Sequence, residues 1–268
     1  MGLREQLRGI IPEQALSSVS DHFEVIGDVA VISIPPELSD YKPVIAEVII
    51  SCRRNICTVL NKVAKVSGKE RIAEYEILTG DTTITQHHEF GFAYRLDVSR
   101  VFFNTRLASE RMRVIDQTKC GERVFVPFCG VGPFAIPAAA KGALVVAVEQ
   151  NPAAYLWLEE NIGLNKVQKN IIPINGDAFD TGQLPHLQYD RVIIPAPYGM
   201  DRILDILSPL AVRGGIIHFY TFKTRNEIPA LIVRYAQKGF VVTRYHTCGN
   251  VAPGVSRWVF DLVYSSRP

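Results

Sequence analysis

The chain has 268 residues, 47% of them apolar, enough to bury a substantial core in one large or two smaller domains. A formal net charge of +2 excludes a strongly basic, non-specific nucleic-acid binder and confines any such contact to a local patch. Five scattered cysteines with no Cys-x-x-Cys pair point away from a disulfide framework or a zinc site. Met1-Gly-Leu-Arg-Glu has no apolar signal core, and no apolar run approaches the roughly eighteen residues of a membrane span, so a cytoplasmic protein is expected.

In chain order, residues 1–100 read as a small α+β domain. A helix is expected from Leu3 to Val19, a strand from Phe23 to Ile34, a turn at Pro35-Pro36 and a helix from Lys42 to Lys65. A strand around Arg71 to Leu78 follows, then a hairpin pairing Thr82–His88 with Phe92–Val98 across Glu89-Phe-Gly91. Residues 101–268 change character. A helix carrying Arg106 to Gln117 leads into strands at Arg123–Phe128, Leu144–Val148, Ile171–Ile174 and Arg191–Ile194, each followed by helical periodicity. Strands at Gly215–Tyr220, Phe240–His246 and Trp258–Tyr264 complete a seven-stranded, mostly parallel, doubly wound sheet of Rossmann-like α/β class.

The apolar run from Val124 opens into Gly130-Val-Gly132, and Glu149 closes the next buried strand seventeen residues after Gly132. Glycines let a strand-end loop approach a ligand, and the carboxylate suits two ribose hydroxyls. Gly130-x-Gly132-x-x-Ala135 also satisfies the dinucleotide fingerprint, which keeps a nicotinamide oxidoreductase in view. Gln150-Asn151-Pro152 after the acid and Gly176-Asp177 after the following strand fit the order of class I S-adenosylmethionine-dependent transferases instead. In an open α/β sheet these loops converge beyond the carboxyl ends of the strands. The expected cofactor residues there are Phe128, Cys129, Gly130, Gly132, Glu149, Gln150, Asn151, Asp177, Ala178, Pro195 and Pro197, with Phe102 and Arg106 preceding the sheet. Glu149 would meet the ribose and Asp177 the adenine amino group. The plainer alternatives are a helix N-terminal charge for Glu149, a turn residue for Asp177 and core packing for Phe102 and Phe103. Ile194-Pro195-Ala-Pro-Tyr198 reads either as a stiff loop offering carbonyls and an aromatic face to a base or as a turn that ends a strand.

Arg106, Glu110 and Arg113 share one helical face, which composition alone reads as a solvated, salt-bridged surface. His218 sits in an apolar strand as a core or loop-orienting residue. His87-His88 has no ligand partner at metal spacing, so no metal is expected. Arg53, Arg54, Lys62, Lys65, Lys69 and Arg71 form the densest basic run, read either as a phosphate track or as an ordinary helix face.

Arg106-Leu-x-x-Glu110-Arg111, Gly130-Val-Gly-Pro-Phe134, Glu149-x-Asn-Pro152, Asn161-x-x-Leu-Asn165, Pro195-x-Pro197 and Gly215-Ile-Ile-His-Phe-Tyr-Thr-Phe222 together resemble the tRNA guanine-N1 methyltransferases. These enzymes modify guanosine 37, the nucleotide 3′ of the anticodon. The resemblance runs from about Val66 to the C-terminus. It implies S-adenosylmethionine as cofactor and the tRNA anticodon stem-loop as partner of a monomer. It also implies Glu110 as general base for the N1 proton, Arg71 as the cation beside guanine O6, and Arg111 as a residue placing the nucleotide. The chemistry is coherent, because neutral guanine N1 carries a proton and needs a base before it can attack.

Three departures stand out. Val126-Pro127 replaces an acidic residue at the end of the first sheet strand, Pro195 replaces an asparagine, and the chain is short for the additional N-terminal tRNA-elbow domain of many archaeal members. Leu38-x-x-Tyr41-Lys-x-x-Ile-Ala-Glu47-Val and Ala252-Pro-Gly-Val255 resemble the related wybutosine-pathway aminocarboxypropyltransferase, the alternative reading. A catalytically silent tRNA-binding protein is a further one.

Overall fold

The computed structural model describes residues 2–63, 73–185 and 188–265. Chain contacts divide it into two compact units, Met1–Thr105 and Arg106–Pro268.

The first unit begins with two short helices, α1 (Leu3–Leu7) and α2 (Glu13–Leu16), in place of the single helix expected to Val19. The break follows from Gly9 at φ 80° and from Pro12, which has no N–H to continue a helical ladder. The expected strand from Phe23 is a hairpin, β1 (Glu24–Ile26) against β2 (Val29–Ile32). A 3-10 turn at Pro36–Tyr41 leads into α3 (Lys42–Cys52), which stops well short of Lys65. Thr58–Lys62 forms strand β3 instead, parallel to β2 and antiparallel to β4 (Tyr75–Thr79). Thr58, Val59, Leu60 and Asn61 are all at most 1% exposed, the continuous burial of a strand covered on both faces. Ile45, Ala46 and Ile49 of α3 share a core with Ala30, Ile32 and Val59. A separate hairpin joins β5 (Ile84–Glu89) to β6 (Phe92–Asp97) through Phe90 and Gly91, both at positive φ, the two-residue turn that matches strand twist. The basic run therefore does not share one helix: Arg53 and Arg54 follow α3 and Lys62 lies on β3, while Lys65, Lys69 and Arg71 lie outside the described residues.

A 3-10 turn that starts at Thr105, the last residue of the first unit, and ends at Leu107 precedes α4 (Ala108–Asp116) of the second. There follow β7 (Arg123–Pro127), α5 (Ala135–Ala140), β8 (Leu144–Glu149), α6 (Pro152–Leu164), β9 (Ile171–Asn175), β10 (Tyr189–Ile194) and α7 (Ile203–Leu207). β11 (Ala211–Thr224), α8 (Ile228–Gln237), β12 (Phe240–Ala252) and β13 (Val255–Tyr264) complete it. The strands form a seven-stranded sheet in the order β12-β13-β11-β10-β7-β8-β9. Strands β7 to β11 run parallel and β13 runs antiparallel to both β11 and β12. The chain winds outward from β7 to β9 and then restarts at β10 on the other side of β7. This reversal leaves a crevice at the carboxyl ends of β7 and β10, where such sheets bind ligands. The last three strands are longer than the sequence pattern indicates, and β11 continues to Thr224 beside β13 after its pairing with β10 ends at Phe219.

Candidate active site

At the carboxyl end of β7 the backbone enters the left-handed region at Phe128 (φ 54°), Gly130 (φ 57°) and Gly132 (φ 97°). Phe128 has a side chain, so its conformation is held against its own preference by the surrounding loop. A Cβ on Gly132 would lie 2.7 Å from Ile136 Cδ1 and 2.8 Å from Leu158 Cδ1. Close packing of this loop on α5 and α6 thus requires Gly132, a reason separate from ligand approach. Asn161, fully buried on α6, donates to the Val131 carbonyl at 3.1 Å and fixes the loop from behind, which accounts for one of the sequence motifs.

Glu149 faces this loop from the end of β8. Its Oε2 accepts from Gly130 N and its Oε1 from Asn151 N, both at 2.8 Å. Burial raises the Glu149 pKa above its ordinary value, and the backbone donors only partly offset that. Each oxygen has further acceptor capacity, so a vicinal diol would supply the donors that the buried carboxylate lacks. Asn151 is buried and accepts from Ala153 N as the cap of α6. Asp177 is exposed, and its Oδ1 closes a turn with Phe179 N at 2.9 Å. Ala178 is buried in the core, Gln150 is exposed, and the Phe128 and Phe179 rings meet edge to face at 6.2 Å. Cys129 is buried, which pushes its thiol well above the ordinary range. Pro195 and Pro197 are half-buried at the end of β10, and exposed Tyr198 rests on Phe222 with ring centres 5.4 Å apart. The residues present suit an adenosine-bearing cofactor: a backbone cradle, a diol-accepting carboxylate and an apolar wall.

Glu110, only 7% exposed, projects from α4 into a saturated set of donors. Arg113 Nη2 reaches Oε1 at 2.8 Å and Arg113 Nε reaches Oε2 at 2.9 Å, a forked pair one helical turn along. Tyr220 OH donates to Oε1 and His246 Nε2 to Oε2, both at 2.9 Å. Burial alone would raise the carboxyl pKa, but Arg113, His246 and Tyr220 together hold it below the ordinary value. The fork continues inward. Arg113 Nη1 donates to Asp261 Oδ2 at 2.6 Å, Asp261 Oδ1 lies 2.6 Å from His218 Nδ1, and His218 Nε2 lies 2.6 Å from Arg191 Nη1. A guanidinium has no acceptor, so His218 Nε2 accepts and its proton sits on Nδ1, donating to Asp261. His218 is accordingly neutral, with its pKa lowered chiefly by burial. Arg191, 1% exposed, ends the ladder on Glu122 at 2.9 Å and on the Gln117 carbonyl at 2.7 Å. The ladder ties both ends of α4 to β10, β11 and β13, fixing the helix that presents Glu110. The Phe134 ring of the glycine loop packs 5.7 Å from Tyr220, which links that loop to the Glu110 cluster.

Of the other expected residues, Arg111 is 2% exposed beside Glu110, Arg106 is exposed at the start of the second unit, and Phe102 is 37% exposed in the first. Arg71 lies outside the described residues. Tyr220, His246 and Asp261 were not singled out in the sequence. Tyr220 belongs to a motif, but the other two lie on strands far from Glu110 and only pairing brings them to it. Among the described residues no group of three or more His, Cys, Asp or Glu could hold a metal, and no helix is long and apolar enough to cross a membrane.

The family described as "TRM5/TYW2 methyltransferase domain" matches residues 85–240, and that described as "TYW2 N-terminal domain" matches residues 3–83. The chain is 39% identical to the Pyrococcus abyssi tRNA (guanine(37)-N(1))-methyltransferase Trm5b over 81% of its own length and 64% of that protein. It is 34% identical to the Pyrococcus horikoshii tRNA(Phe) (4-demethylwyosine(37)-C(7)) aminocarboxypropyltransferase over 85% of its own length and 81% of that protein. It thus spans less than two thirds of the first of these, and under two fifths of the fungal and fish methyltransferases it also matches. The solved complex of aTrm5 with tRNALeu superposes with a TM-score of 0.88 at 26% identity, over 99% of this chain and 78% of that one. Methanocaldococcus jannaschii TYW2 in complex with AdoMet superposes at 0.65 and 28% identity, over 90% of this chain and 98% of that one.

Proposed function

Because the chain belongs to the TRM5/TYW2 methyltransferase family, we propose that it methylates N1 of guanosine 37 in tRNA, using S-adenosylmethionine. The observation that carries this reading is Glu110, a buried carboxylate held ionised beside the glycine loop of the crevice. When bound, the cofactor supplies a methyl carbon made electrophilic by its sulfonium. Glu149 accepts from the ribose hydroxyls, Asp177 receives the adenine amino group on the oxygen its turn does not use, and the backbone from Cys129 to Gly132 lines the methionine end, with Phe128, Gln150, Asn151, Ala178, Pro195 and Pro197 around them. Phe102 and Arg106 are proposed to join them.

Glu110 takes the N1 proton of guanine. Its four acceptor positions are already filled, so one donor must yield to the base. His246 is the candidate, being part-exposed, while Arg113 is anchored on Asp261 and Tyr220 is fully buried. Loss of the proton sends charge to guanine O6, for which Arg71 is the proposed counter-charge, with Arg111 helping to place the nucleotide. The protein would work on the anticodon stem-loop as a cytoplasmic monomer.

The match of residues 3–83 to the N-terminal domain of the aminocarboxypropyltransferase supports a second reading, transfer of the other sulfonium substituent to a tricyclic base. Incubation of purified protein with S-adenosylmethionine and either unmodified or precursor-modified tRNA, followed by nucleoside mass spectrometry, separates the two. Methyl transfer predicts a single-methyl gain on guanosine with S-adenosylhomocysteine released. An aminocarboxypropyl gain on the precursor, with methylthioadenosine released, would replace it with the second reading.

A further inference from the structure

Arg257 lies on β13 opposite Phe222 of β11, its guanidinium 5.1 Å from the centre of that ring. The residue is only 7% exposed, yet among the described residues no hydrogen bond or ion pair reaches its side chain. Its neighbours in the second unit are differently placed: Arg113 is committed to Glu110 and Asp261, Arg191 to Glu122, and Lys223 to Asp201. A guanidinium cannot shed its proton, so burial without an anion is unfavourable unless a ligand supplies one. The titratable groups around it are Cys248, Tyr220 and Arg111, and none of them is a carboxylate.

The position is informative. Tyr220 holds Glu110, and Phe222 follows two residues later on the same strand face, about 7 Å further along. Arg257, paired with Phe222, is therefore displaced by two residues along the sheet from the position at which Tyr220 holds the proton-accepting carboxylate. Exposed Tyr198 covers Phe222 from the β10 loop, giving an aromatic wall beside the cation. A pocket of about 500 Å³ lined by Arg225, Asn250, Pro253 and Ser256 opens at the turn between β12 and β13, one residue along the chain from Arg257.

We propose that Arg257 binds a phosphate flanking the nucleotide being modified, with Phe222 and Tyr198 forming the wall along which that nucleotide lies. This rests on the RNA-modifying reading above. Anion recognition by a planar fork, reinforced by a stacked ring, is what arginine does where lysine cannot.

The test uses the intact protein and a synthetic anticodon stem-loop in which one neutral methylphosphonate replaces the phosphate on the 5′ or the 3′ side of the target guanosine. R257Q should weaken binding of the unmodified stem-loop by about tenfold and lower the salt-dependence slope by about one. At one of the two positions the methylphosphonate should weaken the wild type but not R257Q, the coupling expected of a direct contact. R257K, which keeps the charge in the buried site, should fall between them, with S-adenosylhomocysteine affinity and melting temperature unchanged. A wild type that neither binds nor methylates the stem-loop would remove the RNA reading and this inference together. A wild type that methylates it with no coupling at either phosphate would overturn only the inference. Loss of S-adenosylhomocysteine affinity in R257Q and R257K would also overturn it, by assigning the arginine to the cofactor's carboxylate.

Discussion

Two glutamates, Glu110 and Glu149, are both pushed upward by burial and end with opposite shifts. Glu110 is surrounded by a guanidinium fork, an imidazole and a phenol, so its pKa falls; Glu149 has only backbone amides, so its pKa rises. The first is thereby ionised and available as a base, whereas the second is a carboxylate with acceptor capacity left for hydroxyl donors. In the proposed cofactor site hydroxyls donate to the ionised form, so protonation of Glu149 should compete with cofactor binding. Its pKa in the free protein lies above the ordinary 4.5, and S-adenosylhomocysteine affinity should therefore decline on acidification at a pH higher than an ordinary glutamate would dictate. Calorimetric titration across pH should show this decline with proton release, and E149Q should bind weakly with the pH dependence gone. A pH-independent affinity in the wild type would remove Glu149 from the cofactor site.

Among the elements, the loop from Phe128 to Phe134 joins sheet, helices and site. Any side chain at position 132 meets Ile136 and Leu158 and must adopt φ 97°. G132A should therefore cost on the order of 1–3 kcal/mol of stability even without ligand, read as a lower melting temperature of the ligand-free protein. An unchanged melting temperature would leave ligand approach as the only reason for this glycine. The crevice was legible in the sequence because short apolar strands ending in glycine or an acid announce both the strand and its carboxyl end. Glu110 and Arg113 were legible as a pair because helical spacing brings them together. The rest of the ladder was not, since Arg191, His218 and Asp261 come from three strands whose pairing no local pattern encodes. The break between α3 and β3 was missed for a related reason. No glycine or proline separates Cys52 from Thr58, and the apolar residues on either side read as one continuous helix.

At the scale of the whole molecule, two units carry two kinds of information. The second holds the reversed-order parallel sheet, the glycine loop and the clamped glutamate, to which the proposed cofactor and base roles are assigned. The first has its own core and a match to the N-terminal domain of the aminocarboxypropyltransferase, so substrate choice and reaction type need not be written in the same half of the chain. Val126 and Pro195, which depart from the methyltransferase pattern, both lie in the second unit, at the ends of β7 and β10 where the crevice opens. Removal of the N1 proton is the role proposed for Glu110. Single-turnover methyl transfer to an unmodified tRNA transcript, with E110Q beside the wild type, tests it most directly. The E110Q rate should fall about 100-fold or more while S-adenosylhomocysteine and tRNA affinities stay within a few-fold, because the lost function is proton transfer and not binding. Transfer at the wild-type rate by E110Q would contradict it.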